Sequence, residues 1–289
     1  MIAYRKRNGT NTLIDDSLSP FLTIPNSWRY WRGDPFLFEH HGKTFVFAEL
    51  YDRILRRGVI GCSELKSDGA LSWKVVLKEP FHLSYPQIFS CGNDIFMIPE
   101  SYIAEEIRLY KAVSFPEKWR YVKTLEKKRM VDSTIVSYQG KKYLLSQRLL
   151  DEGEQLVIFD MDKRLMLSHM RNAAPLNDKN SRPAGLPFIS GNKLYRPSQD
   201  CSRSYGCALN INEVTAINKN CFEERNLYKF HPNDISTNCP FPAAGLHTYN
   251  MTDEWEVVDL KFYETDYFYP AMRIIWGVYR RVKSRLEGK

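Results

Sequence analysis

The chain has 289 residues, 43% of them apolar, with 41 lysines and arginines against 34 aspartates and glutamates, a formal charge of +7. That length holds one large domain or two ordinary ones with a substantial core, and no stretch approaches the roughly 18 uninterrupted apolar residues of a membrane span. Residues 265–289, with six basic and two acidic side chains, supply +4 of the charge, so the body is nearly balanced and a broad nucleic-acid groove is excluded.

The first residues, MIAYRKRNGTNTLIDD, lack a signal peptide's apolar middle, and a cytoplasmic protein is expected. Six cysteines are scattered with no C-x-x-C pair, which signals neither a zinc site nor a redox motif. Residues 1–27 read as a polar lead-in arm packing against the body, with a strand at Phe21 to Ile24.

A repeated phrase starts at Gly33. GDPFLFEHHGKTFVFAEL pairs Phe36 to Phe38 with Thr44 to Ala48 across a glycine-bearing turn, and VIGCSEL and WKVVL follow. The cycle restarts with SYPQIFSCGNDIFMIPES, then IRLYKA and WRYVKT. A third unit opens with VDSTIVSYQGKKYLLSQR and continues through Gln155 to Asp160 and Leu165 to His169. The fourth takes in Pro187 to Ile189, Lys193 to Arg196, Gly206 to Ile211 and Val214 to Ile217. Gly245 to Asn250 and Trp255 to Phe262 suggest a fifth, with Phe222 to Phe230 left to the unit before it.

Starts at Pro35, Pro86, Ser133, Pro187 and about His247 are 51, 47, 54 and 60 residues apart. Four short strands per roughly 50 residues is the signature of a propeller blade, so the expected fold is all-β, a five-bladed β-propeller over residues 28–264. A β-sandwich also has many short strands but gives no reason for the turn phrase to recur at one interval. After Asp266 the apolar period becomes helical (Tyr269, Met272, Trp276, Tyr279, Val282, Leu286) opposite Arg273, Arg280, Arg281, Lys283 and Arg285. Residues 265–289 therefore read as a C-terminal amphipathic α-helix suited to an anionic membrane surface, with closure of the propeller as the alternative.

In a propeller the residue that opens each repeat faces a common funnel. Asp34, Tyr85 and Asp132 hold that phase, and Glu49, Glu100 and Asp200 end the second strands. Paired carboxylates suit glycosyl chemistry, because one can be held protonated while another stays charged. Asp34, Asp132, Glu100 and Glu49 are thus the candidate catalytic residues, with turn formation as the plainer reading of each. Arg182, Arg203 and His247 stand beside the same positions, where an arginine fork could hold a diphosphate or pair with one of the acids. Tyr85 and Trp31 offer flat faces to a sugar. Asp160-Met161-Asp162 reads as a turn rather than a metal motif, lacking α/β surroundings. No cofactor is demanded, and a divalent metal is compatible with the acids.

The phrases RGDPFLFEHHGKTFVFAELYD, RGVIGCSELKSDG, KEPFHLSYPQIF, MIPES, IRLYKAVSFPEKW, SRPAGLPF, LYRPSQDCSRSYG and GLHTYN together resemble the N-terminal propeller domain of glucosamine inositolphosphorylceramide transferases and its stand-alone bacterial relatives. That domain in turn is similar to the five-bladed glycoside hydrolases of families 43 and 32. The resemblance implies an acid at Asp34, whereas Tyr85 stands where a second-blade acid is expected and no glutamate occupies an obvious acid position in blades three and four. This departure favours transfer over hydrolysis. The resulting expectation is a glycosyltransferase of surface polysaccharide (lipopolysaccharide included) or glycolipid synthesis, peripheral on the inner face of the cytoplasmic membrane. Its partners would be a nucleotide-sugar donor, a glycan or glycolipid acceptor and an anionic membrane met through Tyr269–Lys289. A propeller hydrolase and a non-catalytic glycan-binding propeller are the alternatives.

Overall fold

The structure is a computed structural model that describes residues 1–7, 19–66 and 71–262. Among them, five four-stranded antiparallel sheets form the blades of a β-propeller. Blade one is β3 (Tyr30–His40), β4 (Lys43–Asp52), β5 (Arg57–Leu65) and β6 (Lys74–Leu77). Blade two is β7 (Ser84–Cys91), β8 (Asp94–Glu100), β9 (Ile107–Ser114) and β10 (Lys118–Glu126). Blade three is β11 (Met130–Tyr138), β12 (Lys141–Leu150), β13 (Gly153–Met161) and β14 (Leu167–Asn172). Blade four is β15 (Phe188–Ser190), β16 (Lys193–Asp200), β17 (Ala208–Ile217) and β18 (Phe222–Phe230).

Blade five joins distant parts of the chain. β19 (Ala243–Met251) and β20 (Trp255–Phe262) supply its inner half, and β1 (Ile2–Lys6) and β2 (Leu22–Thr23) its outer half. Ile2 stands opposite Asp259 and Lys6 opposite Trp255, so the segment read as a lead-in arm is a clasp that closes the ring. Its reason is burial: Ile2 and Ala3 are fully enclosed, and Phe21 packs with Ala3 against Leu246, Val258 and Leu260.

A second difference lies in blade four. Gly206 to Ile211 and Val214 to Ile217, expected as two strands, are one strand, and Phe222–Phe230 is the fourth. Asn212, between the two expected strands, is buried, and its amide donates to the Arg196 carbonyl and the Ser198 hydroxyl. The C-terminal helix expected at 265–289 lies outside the described residues. No helix among those described is long and apolar enough to cross a membrane.

The core is distributed over five seams, each built by the facing surfaces of two neighbouring blades. Between blades one and two, Phe47, Ile60, Ile88 and Met97 meet; between two and three, Ile98, Leu109, Leu144 and Phe159. Both faces of a central strand are therefore apolar, which explains unbroken runs such as Leu156-Val157-Ile158-Phe159: Val157 and Phe159 face blade two while Leu156 and Ile158 face blade four. Each fully buried side chain of this size contributes roughly 1.5–3 kcal/mol.

Candidate functional site

The innermost strands begin at the mouth of the channel, and three of them open on the same irregularity. Between Gly33 and Phe36, Ser84 and Gln87, and Val131 and Thr134 the register slips, so two residues on the inner strand face one on its neighbour. The first residue of each bulge has positive φ: Asp34 at 48°, Tyr85 at 46° and Asp132 at 52°. A bulge re-aims its side chain, and here it turns that residue out of the blade plane toward the axis. Aspartate tolerates this backbone; tyrosine is strained in it. The Tyr85 hydroxyl lies 3.0 Å from Thr134 Oγ1 and accepts the Gly185 N–H at 2.6 Å, which holds the residue in place.

The second strands return carboxylates to the same level. Glu49, Glu100 and Asp259 are all buried, and two of them fasten the next blade's bulge. Asp259 Oδ2 accepts the Asp34 backbone N–H at 2.8 Å, and Glu100 Oε2 accepts that of Asp132 at 3.3 Å. Five acids thus share a poorly hydrated space. Burial, reinforced by neighbouring acids, pushes Glu49 and Glu100 well above the usual carboxylate range. Asp34 rises to about 6 for the same reason, held back by His247 and the Thr248 hydroxyl.

Basic side chains sort these acids. Arg182 Nε donates to Asp132 Oδ2 at 2.6 Å, and Gln199 Nε2 adds a second bond to that oxygen at 3.1 Å. The other end of the guanidinium is 4.0 Å from Glu100 and its plane lies 4.8 Å from the Tyr205 ring. His247 bridges the opposite side: Nδ1 is 3.1 Å from Asp259 Oδ2 and Nε2 is 3.5 Å from Asp34 Oδ1. Asp34, His247 and Asp259 offer ligand atoms within 4.8 Å of one another, a set compatible with a divalent cation, although both ring nitrogens already face carboxylates. Glu49 is treated differently. The Gly58 N–H donates to His82 Nδ1 at 2.9 Å, so the ring proton sits on Nε2, 3.4 Å from Glu49 Oε1.

The family model described as "Glucosamine inositolphosphorylceramide transferase 1, N-terminal" matches residues 26–238. The chain belongs to that family. It is 33% identical over 202 residues to glucosamine inositolphosphorylceramide transferase 1 of Oryza sativa subsp. japonica, an alignment covering 66% of this chain and 27% of the relative. The chain therefore spans about a quarter of the length of the curated relatives it matches. Among solved structures, the catalytic domain of a Coprinopsis cinerea family-62 α-L-arabinofuranosidase superposes with a TM-score of 0.62 at 10% identity, over 90% of this chain and 97% of that one. A thermostable family-43 glycoside hydrolase gives 0.57 at 12% identity, over 84% and 94%. These likenesses show the fold: five-bladed propellers are shared by this family and by those hydrolases.

Of the residues singled out in the sequence, Asp34, Glu49, Glu100, Asp132, Tyr85, Arg182 and His247 meet at the funnel. Three stand apart. Asp200 is taken by Lys229 and by the Ser202 N–H, which overcome its burial and bring it to about 2. Strand alternation sends the preceding residue, Gln199, to Asp132 instead. Arg203 is exposed on the 201–207 loop, and half-exposed Trp31 packs edge-on against Tyr51 at 6.3 Å. The sequence reading passed over Asp259, His82, Gln199 and Tyr205. Only Asp259 carried a signal, an acid inside the apolar run WEVVDL with no turn to form.

Proposed function

We propose that the chain acts in glycosyl transfer, moving a sugar from an activated donor to a glycan or glycolipid acceptor within the acidic funnel. The observation that carries this reading is the division of labour among the buried acids. Asp132 is tied to a guanidinium, while burial favours the protonated form of Glu49 and Glu100. A neutral acid beside a charged carboxylate is what glycosyl chemistry requires: one group protonates a leaving oxygen and the other stabilises positive charge at the anomeric carbon. In this scheme Glu49 protonates the donor's leaving phosphate oxygen as the anomeric C–O bond breaks, Asp34 takes the proton of the acceptor hydroxyl whose oxygen bonds the anomeric carbon, Asp132 flanks the sugar, and Arg182 faces the departing phosphates. The name carried by the rice relative, a transferase acting on an inositolphosphorylceramide, supports a glycolipid acceptor.

A propeller hydrolase is the second reading, favoured by the fold shared with families 43 and 62. Tyr85 weighs against it. Its hydroxyl is engaged by Thr134 and Gly185 and stays protonated through burial, so it does not replace a carboxylate base. Incubation with a panel of nucleotide-sugars and lipid-linked acceptors separates the two: donor-dependent product supports transfer, and release of reducing sugar without nucleotide supports hydrolysis. Attachment to the inner face of the cytoplasmic membrane through Tyr269–Lys289 belongs to the same proposal. Deleting that segment should release the protein from anionic liposomes, and unchanged binding would remove this part of it.

A further inference from the structure

We infer that the face of the propeller opposite the funnel carries a second binding site, a lysine-lined cavity that takes a phosphate-bearing anion. It does not use the funnel residues and stands apart from the glycosyl-transfer reading. The cavity has a volume of about 690 Å³ and is lined by Lys141, Lys142, Lys163 and Lys219, with Tyr143 and Met161 among its walls. The turns around it belong to three consecutive blades: residues 91–94 of blade two, 138–141 and 162–166 of blade three, and 218–221 of blade four. All lie at the ends of strands remote from Asp34, Glu49 and Asp132.

The charge there is unbalanced. Among the described residues none of the four ammonium groups is in an ion pair, and the two acids that line the cavity are already engaged. Asp160 is held by Arg171 at 2.9 Å, and Asp162 Oδ1 accepts the N–H groups of Arg164 and Met166 at 2.8 Å each. The neighbouring cavity between blades one and two, about 430 Å³, supplies the contrast: Lys43 pairs with Glu64 at 3.0 Å and Lys74 pairs with Glu117. A concave site with an excess of one sign of charge against low-dielectric walls concentrates counter-ions more than scattered surface lysines do. Four lysines against two aspartates, one of them neutralised by Arg171, leave a charge that suits a multiply ionised group such as a diphosphate. The volume accommodates a group of sugar-phosphate size. Gly92 and Gly140, with φ of 61° and 73°, make the tight turns at its rim.

A free diphosphate and a phosphorylated lipid headgroup share this chemistry, and two probes separate them. Titration calorimetry with inorganic pyrophosphate at low salt is run on the wild-type chain, on the Lys141→Ala/Lys219→Ala double variant and on Lys43→Ala. Flotation with phosphatidylcholine vesicles containing phosphatidic acid is run on the same three proteins. The site is supported for a soluble ligand when wild type binds one pyrophosphate per chain, the double variant weakens this at least tenfold and Lys43→Ala leaves it unchanged. It is supported for a headgroup when the double variant reduces vesicle binding with Lys43→Ala again unchanged and no pyrophosphate binds. Saturation by neither probe, binding by the double variant equal to wild type, or equal losses in both variants overturns the proposal.

Discussion

Asp259 of the last blade accepts the backbone N–H of Asp34 in the first at 2.8 Å, across the seam where the ring closes. The same carboxylate faces His247 Nδ1, so it fixes both neighbours of the Asp34 carboxyl. Asp259→Ala should destabilise the fold by about 2–4 kcal/mol, because it orphans a buried N–H and a ring nitrogen. Asp259→Asn, which keeps an acceptor oxygen, should lose less. Urea unfolding of the two variants checks the order, and equal losses would mean that Asp259 acts only through its charge.

The carboxyl of Asp34 predicts a pH dependence. A pKa of about 6 in the fold, above the ordinary 3.8, means that the folded state holds a proton the unfolded chain has released. This favours folding below pH 4 and is lost as pH rises through 6. Asp34→Asn should therefore be more stable than wild type at pH 7.5, by up to about 3 kcal/mol, with the difference gone below pH 4. Denaturant melts at the two pH values measure it. A wild type more stable than the variant at pH 7.5 would contradict the assignment.

Arg182 and Asp132 are a buried pair whose halves depend on each other. Arg182→Ala alone should cost about 3–5 kcal/mol by leaving a buried charge uncompensated. Adding Asp132→Asn to Arg182→Ala should recover most of that loss while abolishing any glycosyl activity. A double-mutant cycle with no coupling would show that the pair is not a unit.

His82 is locked by its backbone partner. A second ring proton would have to point at the Gly58 N–H, and burial also disfavours the charge, so His82 should hold its proton on Nε2 and resist protonation more than a free imidazole does. Long-range nitrogen NMR reads the tautomer directly. A proton on Nδ1, or protonation as easy as that of a free imidazole, would overturn the assignment.

The five-blade architecture was legible because every blade must present the same turn at the same interval; the seam cores then follow from blade geometry. The phases of Asp34, Glu49, Glu100 and Asp132 were read from that repetition. What escaped notice broke the period. In blade four, Asp200 is the eighth residue of its strand whereas Glu49 and Glu100 are the seventh of theirs, so Gln199 holds their phase. His82 precedes its blade and Tyr205 sits on a connecting loop, so neither belongs to the repeated unit. The outer half of blade five was invisible for a related reason: pairing between residues 2–6 and 255–259 leaves no local pattern.

That closure has a consequence for biogenesis. β1 precedes its partner β20 by some 250 residues in the chain, so Ile2, Ala3 and Tyr4 are covered only once the rest of the propeller is in place. A pairing of such long sequence separation carries a high loop-closure cost, so ring closure should come late in folding, and the interval before it is when the apolar face of β1 is open to unwanted contacts.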